Sequence, residues 1–148
     1  MVQVSFRSMC VTIVAAALLG VAGCGDGSLS KSEYIAQNNA IQKSAMASMG
    51  SISTLDPSKP AAAATQVLAV KKDLDAAIVK LEALKPPSDW TDEHADMVKA
   101  VKSTSAALGA LATAVRTEDV AGMKAASTKL TTSNVSFRAA INAINSSR

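Results

Sequence analysis

A single histidine, His94, sits in the run Thr91-Asp92-Glu93-His94-Ala95-Asp96, and an imidazole beside three carboxylates could bind a divalent metal or relay a proton. Helical geometry argues against the metal. Side chains one and two residues apart diverge around a helix, and no carboxylate stands three or four residues from His94. A thioether–imidazole centre for haem or copper fares no better. In a bundle of four alternating helices the first and third run the same way, so His94 lies level with about Asn38, and Met46 is roughly 12 Å farther along at 1.5 Å per residue. Met97 is one turn from His94 but stands alone, and the Cys-x-x-Cys-His of haem attachment is missing. A Ser-His-acid triad would have to recruit the same histidine, without a nucleophile elbow or a glycine-rich oxyanion loop. These residues imply no metal, no cofactor and no enzyme.

The chemistry that the residue pattern does support is at Cys24. From Met9 to Ala22 the chain is apolar apart from Thr12, a stretch of about fourteen residues where a membrane-crossing helix needs roughly twenty. Arg7 and the chain amine precede it, and the small residues Ala22 and Gly23 follow, which is the order of an export signal with its cleavage site. An uncleaved anchor or a plain secretory signal with an incidental cysteine is the alternative. Val21-Ala22-Gly23-Cys24 resembles the bacterial lipobox, in which the cysteine sulfur receives a diacylglycerol bearing palmitate-class chains and cleavage falls just before it. That resemblance implies cutting between Gly23 and Cys24, lipidation of Cys24, and a protein held on the extracytoplasmic face of the cell membrane. Two acyl chains suffice for stable anchoring where one is marginal.

The expected organisation is thus a signal peptide over 1–23, a lipidated cysteine and short tether over 24–29, and a folded domain over 30–148. Of the two cysteines, Cys10 is discarded and Cys24 is modified, so the domain forms no internal disulfide even in an oxidising compartment. Cleavage leaves 125 of the 148 residues, enough for one domain with one core. Arg7 is the only charged side chain lost, so 14 basic residues face 12 acidic ones. The bases are scattered and aromatics are few, which gives nucleic-acid binding no footing.

Apolar residues then recur with helical spacing. Ser30 and Glu33 form a capping box with Leu29 and Tyr34 as its staple, so a first helix begins near Lys31 and runs to about Ser53, before Asp56-Pro57-Ser58-Lys59-Pro60. A second starts near Pro60 with the stripe Val67, Val70, Leu74, Ile78, Leu81, Leu84, and Pro86-Pro87 stops it. Ser88 caps a third, with Trp90, His94, Met97, Val101, Thr104, Leu108, Leu111 and Val115 on one face. Thr117 caps a fourth, with Val120, Met123, Ser127, Leu130, Asn134, Phe137, Ile141 and Ile144. The pattern predicts an all-α, up-down-up-down four-helix bundle, crossing at about 20°.

Asn38, Thr104, Ser127 and Asn134 fall on these apolar faces, either fixing register at partly exposed positions or, as Asn38, His94 and Asn134, lining an internal site for a small ligand. The tether of five residues spans at most about 16 to 18 Å, which keeps the bundle close to the membrane. Trp90, with Lys85 and Arg148, is then a candidate headgroup contact, unless Tyr34 and Trp90 cap the base of the core instead. The loops at Ser53 to Pro60 and Arg116 to Asp119 face outward toward an envelope protein partner.

The stretches Leu29-Ser30-Lys31-Ser32-Glu33-Tyr34 and Leu84-Lys85-Pro86-Pro87, with the signal before them, resemble small alanine-rich actinobacterial lipoproteins. Such proteins have a lipobox, a Ser-Lys-x-Glu-Tyr/Phe opening, and helices broken at a Leu-Lys-Pro-Pro turn. The resemblance implies an exported helical domain without catalytic residues. Many of those proteins have a cysteine where this chain has Gln42, so their disulfide does not carry over. The expectation is a non-catalytic, lipid-anchored binding or envelope-interaction module, monomeric or weakly associating, with a small-ligand carrier or sensor as the alternative.

Overall fold

The computed structural model describes residues 27–54, 56 and 58–147, so the leader, Gly23, Cys24 and Arg148 lie outside the described residues. Four helices dominate: α1 (Lys31–Met49), α2 (Pro60–Ala83), α3 (Thr91–Arg116) and α4 (Val120–Ser146). No strand occurs among the described residues. α3 is central, packing along α2 on one side and α4 on the other. α1 lies along α2.

The start of α1 follows its sequence closely. Ser30 accepts from the Glu33 amide while the Glu33 carboxylate accepts from the Ser30 amide at 3.0 Å, completing the capping box. Leu29 is half-buried against the core, and its amide donates to the Lys85 carbonyl at 2.9 Å. The helix stops at Met49 rather than near Ser53, because Gly50–Thr54 tighten into a 3₁₀ segment that satisfies end carbonyls with shorter bonds.

Two other caps differ from expectation. Ser88 does not cap α3. Ser88–Trp90 form a 3₁₀ turn in which the Trp90 amide donates to the Pro87 carbonyl, and Trp90 occupies the cap position without a side-chain cap bond. The proline pair holds the chain extended up to that point, and the turn then drives the indole into the core.

At the α3–α4 junction the N-cap is Asp119, not Thr117: its carboxylate accepts from the Gly122 amide at 3.0 Å. The chain ends α3 in a Schellman arrangement, with the Asp119 amide donating to the Ala114 carbonyl and the Glu118 amide to that of Val115. This geometry puts Glu118 at φ 55°, the left-handed position that glycine ordinarily takes. Asp119 therefore closes one helix with its backbone and opens the next with its side chain. Gly122 fits beneath it because a Cβ there would lie 2.5 Å from the Asp119 carboxylate and 3.1 Å from the Ala114 methyl.

The α2 stripe is buried from Val67 to Leu81, and α3 buries Trp90, His94, Met97, Val101 and Leu108 as its spacing predicts. α4 is rotated away from the expected face. Its buried residues are Ala126, Ser133, Ala140 and Ile144, while Ser127 and Asn134 are exposed and Leu130, Phe137 and Ile141 are only half-buried. Small residues let α4 approach α3 closely, and Ser133 donates across the contact to Ser103 at 2.8 Å. The larger side chains are left on the flank of that contact. α1 buries only Tyr34 and Asn38.

The Schellman geometry yields a test. Replacing Glu118 with glycine removes the left-handed strain and should raise the urea unfolding free energy by about 1 kcal/mol. Asp119→Ala should lower it by about the same amount or more, since it strips the α4 cap.

Candidate functional site

Two places bring polar or unfilled features together, and they lie at different heights. The first is the base, where α1 begins. The Tyr34 hydroxyl is 2.8 Å from His94 Nδ1, both side chains are buried, and Trp90 stands edge-on to Tyr34 with ring centroids 5.7 Å apart. The level of His94 is thus met by Tyr34, one turn before Asn38. The Leu81 backbone carbonyl is the second polar group that acts on the imidazole. Burial holds the His94 pKa below its ordinary value, against the pull of the Leu81 carbonyl, and burial pushes the Tyr34 phenol up to about 12. This histidine is buried and hydrogen-bonded to Tyr34 inside the core.

Lys31 closes the base from outside. Its ammonium bonds Asp89 at 2.7 Å and the Ser147 carbonyl at 2.8 Å, and lies 4.8 Å from the Trp90 ring centroid. Trp90 is fully buried beneath it, so the expected headgroup contact through this ring is corrected: the indole caps the core, covered by Lys31. Lys85 is exposed, and Arg148 lies outside the described residues. Asn38 is buried and its Oδ1 has no hydrogen-bond partner among the described residues, as is also true of Trp90 Nε1.

The second place is a groove of about 780 Å³ between α1 and α4. Ile41, Gln42, Ala45, Met46 and Met49 form one wall. Leu130, Thr131, Asn134, Val135, Phe137 and Arg138 form the other. The floor is core: Leu74, Leu81, Val101 and Leu108. Met46 and Val135 are 70% and 64% exposed at the rim. The groove exists because α1 is held at its base and along α2 while α4 turns its small residues to α3, which leaves two half-buried stripes facing each other without meeting.

Asn38, His94 and Asn134 do not assemble into one internal site. His94 is committed to Tyr34, Asn38 lies in the core, and Asn134 is exposed on the groove wall. Counting from the base, Asn134 stands roughly 14 Å above the level of His94. Arg138, Gln42 and Thr131 are groove residues that stripe analysis misses, since it follows only one face of each helix. The signal was in α1, whose stripe mixes Asn38, Ala45 and Ser48 with a few large residues and cannot seal against two neighbours. Among the described residues no three histidine, cysteine or acidic side chains come together as a metal-binding group, and no helix is long and apolar enough to cross a membrane.

The state of His94 predicts a pH dependence. Its folded pKa lies below the unfolded value near 6.5, so the unfolded chain takes up a proton that the folded chain resists. Stability should be fully present above about pH 6.5 and fall as the pH drops toward the folded pKa, by at most about 1.4 kcal/mol per pH unit. Glu33 is held low by Ser30, Asp75 by Lys71 and Ser105, and Asp89 by Lys31, and these carboxylates act only in a lower window, below about pH 4.5. Urea midpoints measured from pH 8 to pH 5 should show the slope, and His94→Gln should flatten it. Compared with the models of protein families, with curated proteins and with solved structures, the chain matches none of them.

Proposed function

We propose that the chain is a lipid-anchored, non-catalytic binding module on the extracytoplasmic face of the cell membrane, and that the groove between α1 and α4 is its recognition surface. The observation that carries this reading is the groove itself: a concave, largely apolar surface with core leucines for its floor and exposed Met46 and Val135 at its rim. The anchor rests on Val21-Ala22-Gly23-Cys24 and the short apolar leader before it.

An up-down-up-down order of the helices fits the contacts at the base. Leu29 bonds Lys85, Lys31 bonds Asp89 and the Ser147 carbonyl, so the start of α1 adjoins the end of α2, the link into α3 and the end of α4. A tether from Cys24 enters at this end, which puts the base toward the membrane and the distal turns away from it. The groove opens on the side, above the base, within reach of molecules moving along the membrane surface. A binding role also suits the polar groups: His94, the only imidazole, is buried and hydrogen-bonded to Tyr34, which withdraws it from acid–base work.

Anchoring is tested by growing cells with an alkyne-tagged palmitate analogue and fractionating them. The native chain should carry the label and sediment with membranes. Cys24→Ala should lose the label and accumulate as an uncleaved, larger precursor. A native chain that is released unlabelled would refute the anchor.

A further inference from the structure

Resting on the groove as the recognition surface, we propose that it holds a long-chain fatty acid, with the acyl chain along the apolar floor and the carboxylate on Arg138. Among the described residues, Arg138 is the only charged one that lines the groove, and no acidic side chain lines it. Its guanidinium is exposed and makes no ion pair with any described residue. An unpaired guanidinium at the edge of an apolar cleft presents a planar fork that matches a carboxylate.

The levels along the helices give the ligand a direction. Counting from the base, Arg138 and Ile41 both stand roughly 14 Å up, while Leu130 and Met49 both stand roughly 26 Å up. The head therefore sits at the end nearer the base, beside Gln42, and the tail runs toward Met49 and Leu130. Met46 and Met49 on that wall are unbranched and adapt to a flexible chain.

The apolar floor favours an acyl chain over an extended polypeptide. An extended peptide would bring backbone N–H and C=O groups onto a floor of leucine and valine that offers them no partner. An acyl chain brings no such groups.

The test uses the full chain with Cys24→Ser, so that no acyl chain of its own enters the assay, and cis-parinaric acid, a fluorescent 18-carbon fatty acid, as the probe. Fluorescence should rise saturably, and oleate should displace the probe. Arg138→Gln should weaken probe binding about tenfold or more, as loss of a charge-assisted pair implies, with Arg138→Lys recovering part of it. Oleyl alcohol, which lacks the carboxylate, should compete equally against both forms. Ala45→Trp, which fills the groove, and Val135→Trp, at its exposed rim, should each reduce binding while circular dichroism stays helical.

Binding that the tryptophans remove but Arg138→Gln leaves unchanged would overturn the carboxylate assignment and leave the groove as a binding surface. No saturable binding by a helical protein would overturn the fatty-acid proposal. Concentration-dependent dimers that Val135→Lys abolishes, without probe uptake, would assign the groove to a second copy and also overturn it. Binding that survives both tryptophans would place the site elsewhere and defeat the groove reading itself.

Discussion

The hydrogen bond between the Tyr34 hydroxyl and His94 Nδ1 is the constraint on which the position of α1, and with it the open side of the molecule, depends. α1 has few large apolar residues to bury, and only Tyr34 and Asn38 are withdrawn from solvent. Apolar area alone holds it weakly. What fixes it is a set of directional contacts gathered at one end: the capping box, the Leu29–Lys85 backbone bond, the Lys31 bonds to Asp89 and Ser147, and the buried Tyr34–His94 pair. Farther up, Ser48 to Asp73 at 2.7 Å ties α1 to α2. Above the Lys31–Ser147 bond, no hydrogen bond or ion pair ties it to α4 among the described residues.

The three other helices are held differently. Their contacts use small residues, such as Ala63, Ala64, Ala107, Ala112, Ala126 and Ala140, which allow close backbone approach and numerous short-range dispersion contacts. Polar side chains reinforce these faces: Ser133 reaches Ser103, Lys102 reaches Glu82, and Asp75 accepts from both Lys71 and Ser105. Close approach on the α3 side has a consequence on the other. When Ala126, Ser133 and Ala140 face α3, the helical repeat carries Leu130, Phe137 and Arg138 round to the flank that faces α1. One rotation of α4 thus accounts for both the tight contact and the groove.

This division of labour supports the proposed binding role. The ordered, hydrogen-bonded groups are committed to holding the base, and the accessible apolar surface lies where the packing is least complete. The groove thus lies between a firmly packed α2–α3–α4 core and a helix pinned mainly at one end.

Local rules made much of this legible from the residues alone. The α1 capping box, the proline stops, the α2 and α3 stripes and the all-helical class follow from interactions within a few positions of one another, which the order of residues specifies directly. The Ser88 and Thr117 caps differ because a competing neighbour won: Trp90 had to enter the core, and Asp119 could serve two helix ends at once. The rotation of α4, the pairing of His94 with Tyr34 and the groove with Arg138 at its edge were decided by tertiary structure. A period of about 3.6 residues says that a helix has an apolar side, but α4 has two usable sides, one small and one large. Which of them turns inward depends on how closely a neighbouring helix can approach, and that is a property of two surfaces brought together in space.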